Sequence, residues 1–211
     1  MNRVLGSGWT KAILFLLCLV PAFLLAWRGY NNELGANPIE AITHKTGDWT
    51  IRFLLITLAV TPFRKLLNWP KLARFRRMLG LFAFFYACLH LMTWVWFDKF
   101  FDLNEMWKDV VKRRFITVGM AAFLMLLPLA ITSTSGWVRR LGFVRWQKLH
   151  RLVYFAALAG VIHYYWLVKS DVRLPLLYGA ILGALMAYRV RDWRAGPRAR
   201  PVVRIAAVEP K

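Results

Sequence analysis

The sequence predicts an all-α integral membrane protein of six transmembrane helices with both termini in the cytoplasm. Three observations lead there. Of the 211 residues, 59% are hydrophobic, and the mean hydropathy is +0.43. These apolar residues gather in blocks near the roughly 20 residues that a helix needs to cross a bilayer core. The 30 Lys and Arg, against 10 Asp and Glu, punctuate the blocks. The net charge of +20 therefore reads as basic loops. A nucleic-acid partner would need a soluble basic face, and none is expected.

In order, the blocks run Lys11 to Trp27, Thr50 to Leu67, Met78 to Phe97, Phe115 to Ile131, Leu149 to Val168 and Leu174 to Tyr188, the last being the shortest. The first follows Arg3 and Lys11 as a secretory signal would, but no small-x-small cleavage site precedes Arg28, so it reads as a retained span. Short loops rich in Lys and Arg stay in the cytoplasm. Pro62 to Arg77 carries Arg64, Lys65, Lys71, Arg74, Arg76 and Arg77 without an acid, and Thr132 to Leu149 carries Arg139, Arg140, Arg145 and Lys148 without one. Both are expected inside. Arg28 to Asp48 has two bases against three acids and Asp98 to Arg114 has five against four, so both are expected outside. The tail from Arg189, with seven bases and two acids, returns to the cytoplasm. Residues 1–190 thus form the membrane domain and 191–211 a short basic tail, with Pro197 to Pro210 expected to be disordered. Trp9, Trp27, Trp49, Trp94, Trp96, Trp166 and Trp193 fall near span ends, where indole rings favour the headgroup region. Cys18 and Cys88 match no metal or redox spacing.

Function is concentrated in the four histidines. The run LHRLVYFAALAGVIHYYW, residues 149–166, carries His150 and His163. His90 lies thirteen residues past Arg77 and His163 twelve past Arg151, so each sits roughly 18 to 20 Å from the inner boundary. Two imidazoles at one depth on two helices suit bis-histidine ligation of a haem iron in a bundle. The plainer reading is a pair of interhelical hydrogen bonds. No Asp or Glu lies in the core of any expected span, which argues against an ion-coupled transporter. His150, at the cytoplasmic edge, lies about 140° around an ideal helix from His163. It could ligate a second, inner haem iron, but the matching level on the third span holds Arg76 and Arg77. Those arginines suit haem propionates or a flavin phosphate, or are ordinary positive-inside charges. His44, in ANPIEAITHKTGDW, reads as an ordinary loop residue.

One histidine in the third span and two in the fifth, thirteen apart, resemble the ferric reductase-like transmembrane domain shared with NADPH oxidases and metalloreductases. More closely, LGANPIEAITHKTG, RRMLGLFAFFYACLHL, ITSTSGWVRRLG and WQKLHRLVYFAALAGVIHYYW resemble the haem-binding membrane subunits of bacterial periplasmic methionine sulfoxide reductase systems, over nearly the whole chain. In the oxidases the third span usually carries two histidines; here it carries only His90.

The resemblance implies a multi-pass inner-membrane b-type cytochrome with one haem, or two, and FMN. It would relay electrons from the quinone pool or a cytosolic flavin reductase to a periplasmic molybdopterin-containing subunit that reduces methionine sulfoxide in oxidised proteins. No G-x-G-x-x-G fingerprint is present and 23 residues follow Tyr188, so electrons are expected from another molecule. The site residues expected are His90 and His163 on the outer haem iron, with His150, Arg76 and Arg77 at an inner cofactor. The rival functions are a stand-alone metalloreductase, a cofactor-free docking subunit and a transporter.

Overall fold

The apolar blocks are largely helical in the computed structural model, which describes residues 7–195. The basic segment Pro197 to Pro210 lies outside the described residues. All regular structure among those described is helical: α1 (Gly8–Tyr30), α2 (Pro38–Leu66), α3 (Arg76–Met92), α4 (Leu103–Lys112), α5 (Arg114–Ile131), α6 (Ser135–Leu141), α7 (Phe143–His150), α8 (Leu152–Leu167) and α9 (Arg173–Arg194). A 3-10 turn at Pro70–Phe75 leads into α3, and a π turn at Thr93–Asp98 prolongs it.

Three of these are long and apolar enough to cross a membrane by length and composition alone: α1, the continuous Pro70–Asp98 rod, and α5. The others depart in identifiable ways. Helix α2 has 29 residues but carries Lys45, Asp48 and Arg52, and α8 has only 16. Helix α9 extends beyond the expected end at Tyr188, through three arginines, to Arg194.

Local signals explain where the loops of the sequence reading become helix. Asn37, Pro38 and Glu40 form a start signal: the Asn37 side chain accepts from Glu40 N at 3.2 Å, and proline fits the first helical position. Helix α2 therefore begins twelve residues before Thr50, and His44 is helical rather than a loop residue. In the Asp98 to Arg114 connection, Asp102 Oδ1 caps α4 by accepting from Asn104 N at 2.9 Å and Glu105 N at 3.1 Å. Between α6 and α7 the chain turns at Gly142, whose φ of +73° suits a residue without Cβ. The 149–166 run is not one helix. It breaks at Arg151, so His150 ends α7 while His163 belongs to α8.

Two helix pairs, α2 with α3 and α5 with α8, make the most extensive contacts. The ring of Phe53 on α2 stacks on Phe82 at 5.9 Å and on Tyr86 at 5.2 Å, both from α3. Tyr86 also anchors α1. Its hydroxyl donates to Cys18 O at 2.8 Å and accepts from Ala22 N at 3.0 Å, replacing one rung of the α1 ladder beside Pro21. Helix α1 otherwise buries only Cys18, leaving an apolar surface suited to lipid.

Candidate functional site

Two cavities lie among the paired helices, and the residues singled out by sequence divide between them. The first, of about 620 Å³, is lined by both His90 and His163. Their ring centroids are 6.0 Å apart with planes at 79°. His90 Nδ1 is 2.9 Å from the Thr43 carbonyl on α2, and His163 Nδ1 is 2.6 Å from the Phe115 carbonyl on α5. A carbonyl only accepts, so each Nδ1 carries the proton and each Nε2 keeps its lone pair.

The same packing device serves both rings. Four residues beyond each accepting carbonyl stands a glycine, Gly47 after Thr43 and Gly119 after Phe115, and the imidazole rests against it. A Cβ on Gly47 would lie 3.1 Å from His90 Nδ1, and one on Gly119 would lie 2.7 Å from His163 Nδ1. These glycines let each histidine come within reach of a neighbouring helix backbone. Neither glycine is among the residues expected from sequence, although glycine inside an apolar helix is itself a signal of close approach.

Two metal–imidazole bonds of about 2 Å, plus the half-widths of the rings, fit the observed centroid spacing. Among the described residues no group of three or more His, Cys, Asp and Glu could hold an ion. Small Ala87, Ala156 and Gly160 leave room on the cavity wall. Trp94 and Arg113 also line it, and the buried Trp94 Nε1 has no acceptor among the described residues. His44 and Asp48 are brought here as well by the early start of α2. Asp48 sits 3.8 Å from Arg52, whose Nε donates to the Tyr178 hydroxyl at 2.8 Å. The acid missing from the expected span cores is thus present in the helix, engaged locally.

The second cavity, of about 680 Å³, gathers His150, Arg76 and Arg77, joined by Arg139, Arg151 and Arg189. Among the described residues no Asp or Glu lines it. His150 Nε2 is 3.1 Å from Thr132 Oγ1, and Trp146 lies over the ring at 4.0 Å. The Thr132 hydroxyl proton is already committed to Pro128 O at 2.6 Å, so His150 Nε2 is the donor. Arg189 donates to Leu58 O at 2.6 Å and stands over the Tyr154 ring, while its Nε is buried without an acceptor among the described residues. Leu54 and Leu126, both buried, line both cavities and form a shared wall.

Residues 46–161 match the family model of the ferric reductase like transmembrane component. The chain is 58% identical over 182 residues to the protein-methionine-sulfoxide reductase heme-binding subunit MsrQ of Herminiimonas arsenicoxydans, covering 85% of this chain and 84% of that one. The chain belongs to the MsrQ family. The MsrQ of Rhodospirillum rubrum is 55% identical over 190 residues, covering 88% of this chain and 91% of its own length. That of Caulobacter vibrioides is 53% identical over 182 residues, covering 86% and 87%. Membership makes this a membrane protein, in keeping with its apolar helices. The ferric reductase match includes His90 and His150 and stops just before His163.

Proposed function

We propose that this chain is the membrane b-type cytochrome of a methionine sulfoxide reductase system, crossing the bacterial inner membrane six times with both termini cytoplasmic. It relays electrons from the quinone pool or a cytosolic flavin reductase to a periplasmic molybdopterin-containing subunit that repairs oxidised periplasmic proteins. The observation that carries this reading is the facing pair of imidazoles, each fixed through Nδ1 by a backbone carbonyl. Relatives of more than half identity are named heme-binding subunits, which supports it.

Haem b bound between His90 and His163 would supply a one-electron couple. The chain's own contribution is a pair of imidazoles with centroids 6.0 Å apart, each with Nδ1 engaged and Nε2 left to a ligand role. The Thr43 and Phe115 carbonyls orient the rings and raise their basicity as ligands. The free Trp94 N–H and Arg113 offer donors for carboxylates at the cofactor's edge. The basic tail, residues 191–211, remains assigned to the cytoplasmic side.

FMN suits the second cavity. Five arginines without an acid favour a phosphate, and Trp146 and Tyr154 supply aromatic surface. His150 takes part there through its Nε2–H donor. A second haem on His150 is disfavoured by the commitment of Nε2 to Thr132.

The test is a reduced-minus-oxidised spectrum of the purified full chain with haem and flavin quantified. A low-spin b-type signal is expected in the wild type. Absence of haem from protein made with ample haem supply would overturn the paired-ligand reading.

A further inference from the structure

Helix α4 and the turn before it are not absorbed by either cavity. They connect the end of the Pro70–Asp98 span to the start of α5 at Arg114, so the link lies at one boundary of the membrane. At about 100° per residue the ten residues of α4 divide into three sectors. Met106, Asp109 and Val110 face the bundle and are buried or half-buried. Leu103, Trp107 and Val111 form an apolar stripe, 75%, 69% and 64% exposed. Asn104, Glu105, Lys108 and Lys112 form the remaining, polar face.

Two sectors are thus largely exposed on the protein surface, and a helix on a membrane boundary must turn one of them toward the bilayer. Turning the polar sector inward would put Glu105, Lys108 and Lys112 against hydrocarbon, where charge is expensive. Turning the apolar sector inward leaves those groups at the water and headgroup level, as in an amphipathic helix lying in the interface. The approach turn adds two more exposed apolar side chains, Phe100 and Phe101. Phe100 and Phe101 have φ of +47° and +61°, which side chains with a Cβ rarely adopt, and the Phe100 ring is 78% exposed.

The buried face fixes the helix in this roll. Asp109 is 2.7 Å from Lys99 Nζ and 3.3 Å from Arg113 Nε, and its hydrogen bond holds the Lys99 ammonium above its usual range. Arg113 and Asp98 in turn line the His90–His163 cavity. We infer that α4 is an interfacial helix whose Phe100, Leu103, Trp107 and Val111 side chains insert into the phospholipid leaflet beside that cavity, holding its rim at the membrane boundary. The partner is the acyl and headgroup boundary of a phospholipid. This inference rests on membrane residence and not on the cofactor assignment.

Single cysteines replacing Leu103, Asn104, Trp107, Lys108 and Val111, in a Cys18→Ala, Cys88→Ala chain, would carry a spin label. The protein would sit in vesicles of phosphatidylethanolamine and phosphatidylglycerol. Collision with oxygen relative to a water-soluble nickel chelate should be several-fold higher at 103, 107 and 111 than at 104 and 108. A second reading keeps the native cysteines: brominated lipid should quench fluorescence more in the wild type than in Trp107→Phe. Equal nickel access at all five positions, or shielding of 103, 107 and 111 only on adding a periplasmic protein partner, would overturn the inference. Haem content, read on the same samples, reports separately on the function proposed above.

Discussion

In the His90–His163 cavity two imidazoles face each other with their protons on Nδ1, held by main-chain carbonyls and seated on glycines. In the arginine-rich cavity a single imidazole has its proton on Nε2, donated to a threonine hydroxyl and covered by an indole. A backbone carbonyl is a fixed acceptor, so it sets tautomer and ring angle together. A hydroxyl can turn, so Thr132 sets the tautomer only while Pro128 O holds its proton. One residue type is thus given two jobs. Where Nε2 is left free and doubled, the site favours an iron ligand set; where Nε2 is bound among five guanidinium groups, it favours an anionic cofactor.

The largest expected effect separates the cavities outright. His90→Ala or His163→Ala should abolish the low-spin haem signal, while His150→Ala should leave haem per protein unchanged, each by reduced-minus-oxidised spectra. Loss of the same signal in all three variants would break the contrast. Next comes Gly119→Ala, where the added Cβ would stand 2.7 Å from His163 Nδ1. The ring must leave its Phe115 carbonyl, and most of the haem should be lost. Gly47→Ala, at 3.1 Å, should keep more haem with an altered spectrum. A reversed order of these two would refute the seating argument.

A third, smaller effect concerns charge. Arg76→Gln with Arg77→Gln removes two of the five arginines around the second cavity. Charge-assisted hydrogen bonds are worth about 1.5–3 kcal/mol each, so losing even one should lower retained flavin by about tenfold or more. Haem content should not move. A fall in haem with flavin unchanged would reassign the arginines to haem propionates.

The helix blocks were legible because apolar length and charge punctuation act locally. The histidine pair was legible because equal depth on two helices follows from counting residues. What could not be read was lateral closeness. Nothing in the run 149–166 marks Arg151 as a break, and the apolar pattern continues through it. Gly47 and Gly119 acquire meaning only once α2 meets α3 and α5 meets α8. The Asn37–Pro38–Glu40 start signal was local and available, yet the charges of residues 40–48 masked it as loop. Arg189 counted as a tail charge by sequence, but α9 carries it back against Leu58 and into the second cavity.

The smallest expected effect tests the tautomer itself. Thr132→Val keeps the shape of the side chain but removes the oxygen that accepts from His150 Nε2 at 3.1 Å and the proton that reaches Pro128 O. Losing the two bonds costs about 2 kcal/mol, so the thermal midpoint should fall by several degrees. The His90–His163 cavity lies beyond Leu54 and Leu126, so its haem spectrum should be unchanged. The freed His150 nitrogen would then be available to any iron in the second cavity. If a new low-spin haem signal appears in Thr132→Val alone, that cavity admits haem and the threonine is what prevents ligation. If none appears, the shape and charge of the cavity exclude haem independently of His150, and the contrast between the two sites rests on the whole lining, with the arginines as its largest part.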